Sequence, residues 1–249
     1  MRYIFEICIY ANTGDCLERI KTFVEGLDED LNGGIPKGHV ILITGTPGTM
    51  KSSLVLNIMF HNAVENNLKS LYISVEESKE SLLGTMQNLG LTPVDERKMF
   101  IVDVAKLRLE HQEADEARDW LKILKEYIFR RVRDEHFEIV AIDSLTALYS
   151  LVSFTNPRNE LFHFFGFLRE LGVTVLLICE AVSEESAFGL YREDYLADGI
   201  IQLKFTSLGE SDVSLRIRIV KMRHTKVHHG YKALIHRDGK FVTTPVIAE

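Results

Sequence analysis

The chain has 249 residues, 46% hydrophobic and 26% charged, which suits one large α/β domain with a substantial core and excludes a largely disordered polypeptide. A formal net charge of -7 argues against a protein whose main task is to coat nucleic acid, and Cys8, Cys16 and Cys179 form no CxxC pair or even framework, which excludes a disulfide scaffold and points to a reducing compartment. No stretch is long and apolar enough to span a bilayer and no leader pattern is evident, so a cytoplasmic protein is expected.

Residues 1–16 read as an N-terminal extension, whose apolar run at 3–10 is broken by Glu6 and is expected to form an extra strand or packing arm. From 17 to 249 no linker, low-complexity tract or repeat interrupts the chain, and a single domain is expected there. Short apolar runs alternate with amphipathic stretches, as in βαβ units. A buried strand is predicted at 39–44, followed by a helix with Leu54, Val55, Ile58, Met59 and Val64 on its apolar face. A second strand at 71–75 precedes a short helix carrying Leu82, Leu83, Met86 and Leu89, stopped by Gly90. A third strand is predicted at 100–102. Residues 113–134 read as an amphipathic helix with Trp120, Leu121, Leu124, Ile128 and Phe129 on one face. Then come a strand over 139–143, a helix after Pro157 with Leu161, Phe164, Phe165 and Leu168 inward, and a strand at 173–178. Trp120, Phe162, Phe164, Phe165 and Phe167 are all expected in the core. From Ile200 the pattern becomes strand after strand (201–205, 215–219, 231–235, then a turn at Asp238-Gly239), so a parallel βα core is followed by antiparallel C-terminal strands.

The strand at 39–44 runs directly into Gly45-Thr46-Pro47-Gly48-Thr49-Met50-Lys51-Ser52. In a P-loop, glycines let backbone N–H groups wrap around phosphates, a lysine reaches the β/γ oxygens, and a Ser/Thr hydroxyl serves Mg2+. The following helix contributes its positive N-terminus. Gly45, Gly48, Lys51 and Ser52 fit those roles, and the loop through Ser53 is the predicted site for ATP and magnesium. One position departs from G-x-x-x-x-G-K-[ST]: Met50 replaces the glycine before the lysine, and is expected to crowd the phosphates or narrow the allowed backbone angles. The alternative is a Gly-rich turn that only joins strand to helix.

Two acidic features close predicted strands. Asp143, followed by Ser144 and Thr146, suits a Walker-B carboxylate that orders magnesium; helix capping is its other reading. Glu76 and Glu77 follow the second strand, where a carboxylate would orient or deprotonate the attacking water; acids favoured by a helix N-terminus are the alternative. Further on, Lys221-Met222-Arg223-His224-Thr225-Lys226-Val227-His228-His229-Gly230 combines three cations with three histidines. It reads as a positive group delivered to a phosphate, as a metal site of His224, His228 and His229, or as solvated hairpin charge.

Together and in this order, these residues resemble the KaiC family of RecA-superfamily ATPases, in particular its single-domain archaeal-type members. Val24-Glu25-Gly26-Leu27-Asp28 with Gly33-Gly34-Ile35-Pro36-Lys37-Gly38 is similar to the family's "GLD…GG(I/L)P-G" lead-in. Glu76-Glu77 resembles its paired catalytic glutamates, Ile142-Asp143-Ser144-Leu145-Thr146-Ala147-Leu148 its Walker-B segment, and the run from Leu168 to Glu180 its next helix and strand. Lys221-Met222-Arg223-His224-Thr225 is similar to its K-x-R-x-T strand. The resemblance implies a RecA-like P-loop fold and a homohexameric ring, in which Lys221 and Arg223 reach the γ-phosphate held by the neighbouring subunit. The sequence departs from the family at Met50, at His224 (usually glycine) and at Val227 (usually histidine), and shows no counterpart of the clock protein's Ser/Thr phosphorylation pair. The expected function is a Mg2+-dependent ATPase. The rivals are a nucleotide-gated assembly module, motivated by Met50, and a DNA-binding ATPase, motivated by the basic hairpin and opposed by the acidic balance. A further protein partner and self-phosphorylation stay open; no membrane contact is expected.

Overall fold

The central strand β4 (Val40–Gly45) is buried at every residue, and its run Val-Ile-Leu-Ile is what a strand covered on both faces requires. The computed structural model describes residues 17–104, 106, 119–181, 189–209 and 211–246. The extension at 1–16 with Cys8 and Cys16, and 113–118 of the predicted long helix, lie outside the described residues. Before β4 come β1 (Arg19–Ile20), β2 (Val24–Glu25), α1 (Leu27–Asp30) and β3 (Ile35–Pro36). After it follow α2 (Lys51–Glu65), β5 (Ser70–Ser74), α3 (Lys79–Asn88), β6 (Met99–Asp103), α4 (Trp120–Glu135), β7 (Ile139–Asp143), α5 (Leu145–Tyr149), α6 (Pro157–Glu170) and β8 (Thr174–Glu180). The chain then turns to β9 (Gly199–Leu208), β10 (Asp212–Met222), β11 (Lys232–Arg237) and β12 (Lys240–Pro245).

A ten-stranded sheet runs in the order β2-β12-β11-β10-β9-β4-β8-β7-β5-β6. From β9 to β6 every pairing is parallel, while β9, β10, β11 and β12 pair antiparallel in succession. β2 closes the edge parallel to β12, and β1 pairs with β3 in a separate ribbon. This is the expected parallel core with antiparallel C-terminal strands, and strand ends over the parallel part differ from prediction by at most three residues, with β7 matching at both ends. Two apolar layers lie on the faces of the sheet. One joins α2 and α3 through Leu54, Met59, Leu82 and Met86 to Ile41, Ile43 and Tyr72; the other joins α4, α5 and α6 through Leu124, Leu148, Phe164 and Phe165 to Leu42, Ile73 and Val140.

Three apolar expectations are corrected. Val64, Phe129 and Phe162 are 57%, 50% and 60% exposed. Val64 sits in the last turn of α2, and the Arg133 guanidinium lies over the Phe129 ring. In α4 the inward face is Trp120, Leu124 and Ile128. In α6 it is Leu161, Phe164, Phe165 and Leu168, and Phe162 lies on the outward side.

Candidate functional site

The loop between β4 and α2 shows why its glycines are needed. A Cβ on Gly45 would lie 2.4 Å from the Leu203 carbonyl oxygen and 2.6 Å from Thr49 Oγ1, so only glycine lets β9 pass this close. Gly48 has open space around it but stands at φ 83, a conformation that L side chains disfavour. The loop closes on itself through Thr49, whose hydroxyl donates to the Thr46 carbonyl at 2.7 Å, and Lys51 Nζ donates to the same oxygen at 2.9 Å. Met50 is the residue before the first turn of α2 and also stands left-handed, at φ 62. Its side chain packs against the apolar layer under α2 and does not line the cavity described below, while the backbone consequence is plain in its left-handed φ.

Strand register brings the acids to this loop. Gly45 pairs with Glu180, and Ser74 pairs with Asp143, so the carboxyl ends of β4, β8, β7 and β5 lie side by side. Open α/β sheets bind ligands at that edge. A cavity of about 410 Å³ opens there, lined by Pro47, Gly48, Lys51 and Ser52 of the loop, by Glu76, Glu77 and Asp143, and by Ser144, Ile178 and Glu180. Gly45, Thr46, Thr49, Met50 and Ser53 build the loop without lining the cavity. Burial pushes the Lys51 ammonium below its ordinary range, and the Glu180 and Asp143 carboxylates act against that shift.

The capping alternative for Asp143 is answered by which residue caps the helix that follows it. Ser144 caps α5, accepting from the Ala147 N–H at 3.0 Å, and Ser78 caps α3, accepting from the Ser81 N–H at 3.2 Å. Asp143 is therefore not spent on capping; Tyr72 donates its phenolic hydrogen bond to it. Glu77 accepts from the Ser81 hydroxyl at 2.7 Å, and its backbone is tied to Ser74. Two residues of this site were not singled out beforehand. Glu180 was visible as the acid that ends an apolar strand, the same signal that marks Asp143; Tyr72 gave no signal beyond its place in a strand.

The distal cations lie elsewhere in the same chain. Through β9, Lys221 is level with Leu42, and the Arg223 N–H bonds the Asp198 carbonyl at 2.9 Å beside Val40. Along the strand direction they therefore lie toward the amino end of β4, Lys221 about 10 Å and Arg223 about 16 Å from the level of Gly45 at 3.3 Å per residue. Lys221 Nζ donates to the carbonyls of Asp194 and Ala197 at 3.0 and 2.6 Å. Its ammonium is lowered by burial and by the neighbouring Arg223, against the opposing pull of Asp198 and Asp194. Arg223 bonds Asp198 Oδ1 at 2.5 Å yet keeps 46% of its side chain exposed. Thr225 accepts from Arg19 at 3.0 Å. Lys221, Arg223 and Thr225 are thus anchored, whereas Lys226, His228 and His229 are exposed, as in the reading of solvated hairpin charge. His224, left-handed at φ 58, meets His39 at 3.3 Å. Among the described residues no group of three or more His, Cys, Asp or Glu side chains could hold a metal ion, which removes the proposed His224, His228 and His229 site.

A glycine-bearing loop between a central parallel strand and a helix, with carboxylates at the ends of neighbouring strands, defines a RecA-like nucleotide-binding domain. A family model described as "ATPase: KaiC" matches residues 20–243, and the chain belongs to that family. It is 31% identical over 231 residues to the circadian clock oscillator protein KaiC of Picosynechococcus sp., covering 90% of this chain and 44% of that protein, so it spans less than half the length of the clock relative. It is also 31% identical over 226 residues to a UPF0273 protein of Thermotoga maritima, covering 84% of this chain and 88% of that one. A crystal structure of a KaiC-like protein from the archaeon Pyrococcus horikoshii superposes with a TM-score of 0.77 at 25% identity, covering 92% of this chain and all of the other. No described helix is long and apolar enough to cross a membrane.

Proposed function

We propose that residues 17–249 act as one cytoplasmic ATPase unit that hydrolyses ATP with Mg2+ in a hexameric ring of identical subunits. The observation that carries the reading is the convergence of Lys51, Ser52, Glu76 and Asp143 on one cavity at the carboxyl end of the parallel strands. The backbone from Gly45 to Ser53 and the Lys51 ammonium hold the triphosphate. The Ser52 hydroxyl and the Asp143 carboxylate are hard oxygen donors of the kind Mg2+ takes. Four carboxylates facing one lysine would repel a bare triphosphate, so the cavity itself calls for a divalent cation. When bound, that ion neutralises phosphate charge that builds up during transfer.

Glu76 orients the attacking water and takes its proton, with Glu77 beside it fixing the start of α3. The water oxygen bonds to the γ-phosphorus as the bond to the bridging oxygen breaks, leaving ADP and inorganic phosphate. Lys221 and Arg223 of a neighbouring copy stabilise the transferring phosphoryl group, and Thr225 of the same segment faces the nucleotide beside them. Lys51→Ala is expected to abolish ATP binding, and Glu76→Gln to retain binding while phosphate release falls by about 100-fold or more. If both variants turn ATP over like the parent, the assignment fails.

A second reading is a nucleotide-gated assembly module with little hydrolysis, favoured by the left-handed Met50 where the family has glycine. Phosphate release from the parent no faster than from Glu76→Gln would select it.

A further inference from the structure

Tyr72 lies on β5 opposite Ala141 of β7, two residues short of Asp143 at the end of that strand. Its ring is fully buried in the apolar layer under α2, and it does not line the nucleotide cavity. The phenol donates to Asp143 Oδ2, and among the described residues it is the one side chain hydrogen-bonded to that carboxylate. Burial pushes the Tyr72 hydroxyl well above its ordinary pKa, and the Asp143 charge pushes it further in the same direction. The phenol acts on Asp143 as a hydrogen-bond donor. One buried oxygen thus touches the carboxylate assigned to magnesium.

We infer that Tyr72 is a positioning residue for the metal side of the site, its hydroxyl fixing the Asp143 carboxylate in the arrangement that receives Mg2+ with the nucleotide. This rests on the ATP reading above and adds a residue to it. A phenol locked in the core cannot follow solvent or ligand. It ties up one carboxylate oxygen and leaves the other for the cavity. Groups that orient metal ligands in this way typically matter about tenfold or more to metal affinity.

Tyr149 supplies the control. It is another buried tyrosine that donates to a carboxylate, Glu193 Oε1 at 2.5 Å, and it does not line the cavity. Binding of a fluorescent ATP analogue should be measured as a function of Mg2+, and separately in EDTA, for the parent, Tyr72→Phe and Tyr149→Phe. Tyr72→Phe is expected to need about tenfold more Mg2+ for half-saturation. Its affinity in EDTA should stay within about twofold of the parent. Tyr149→Phe should match the parent in both measurements. Equal Mg2+ midpoints for Tyr72→Phe and parent overturn the inference and leave the ATP site standing. A Tyr72→Phe protein that unfolds, or loses binding in EDTA as well, also overturns it, since the phenol then serves the core. A parent without Mg2+-dependent binding removes the site reading and this inference with it.

Discussion

Met50 occupies a left-handed backbone conformation, which costs an L-residue about 1–2 kcal/mol relative to glycine. Its side chain nevertheless points into the apolar layer and away from the phosphate cavity. Met50→Gly would remove the backbone cost, but also the apolar contact, and it would loosen the unfolded chain. Nucleotide affinity is therefore expected to change by less than about threefold, or about 0.7 kcal/mol, in a direct binding titration. A gain of tenfold would place the methionine against the phosphates after all. Much of the site was legible at this scale. Gly45, Gly48, Lys51 and Ser52 could be read in order because backbone wrapping and phosphate charge dictate residue types at fixed spacing. Glu180 and Tyr72 could not be placed, because only register puts the first opposite Gly45 and only three-dimensional packing brings the second against Asp143.

Among elements, α2 does more than carry the phosphate loop. Its asparagines Asn57 and Asn62 are fully buried in mid-helix, where their residue type is intrinsically unfavourable. Asn57 Nδ2 donates to the carbonyls of Thr22 and Phe23 at 3.1 and 3.3 Å, and Asn62 Nδ2 to that of Lys21 at 2.8 Å. From the other side, Asp28 accepts the Thr22 N–H and hydroxyl, both at 2.7 Å, and the Phe23 N–H at 3.1 Å. The segment before the core is thus clamped between a helix and the aspartate of its own lead-in. Asn62→Ala leaves the Lys21 carbonyl without this donor and should cost about 2 kcal/mol. For a chain of this size, thermal unfolding should move down by roughly 4–8 °C; an unchanged midpoint would show the clamp to be unimportant. Periodicity found these helices and strands but not their partners. It placed Leu54 and Ile58 inward correctly, and failed at Val64, Phe129 and Phe162, because single apolar residues on a solvent face obey no spacing rule.

For the whole molecule, the decisive fact is that Lys221 and Arg223 lie toward the far end of β4 from Gly45. On the proposed reading, each ATP is gripped by one subunit and acted on by the next. Lys51→Ala and Arg223→Ala should each be inactive alone. Mixed in equal amounts and allowed to exchange, they should recover about a quarter of parental phosphate release, because that fraction of interfaces pairs an intact loop with an intact arginine. No recovery in rings shown to be mixed would mean the cations act within their own chain or not at all.

That separation has a consequence for dosage. On the proposed reading, a chain whose phosphate grip and distal cations face different neighbours would be silent as a single copy, however well it folds and binds ATP. Its output per molecule would climb steeply with abundance and then level off once rings are full. The amount of protein would itself become an input: halving expression near the assembly threshold would silence far more than half of the hydrolysis.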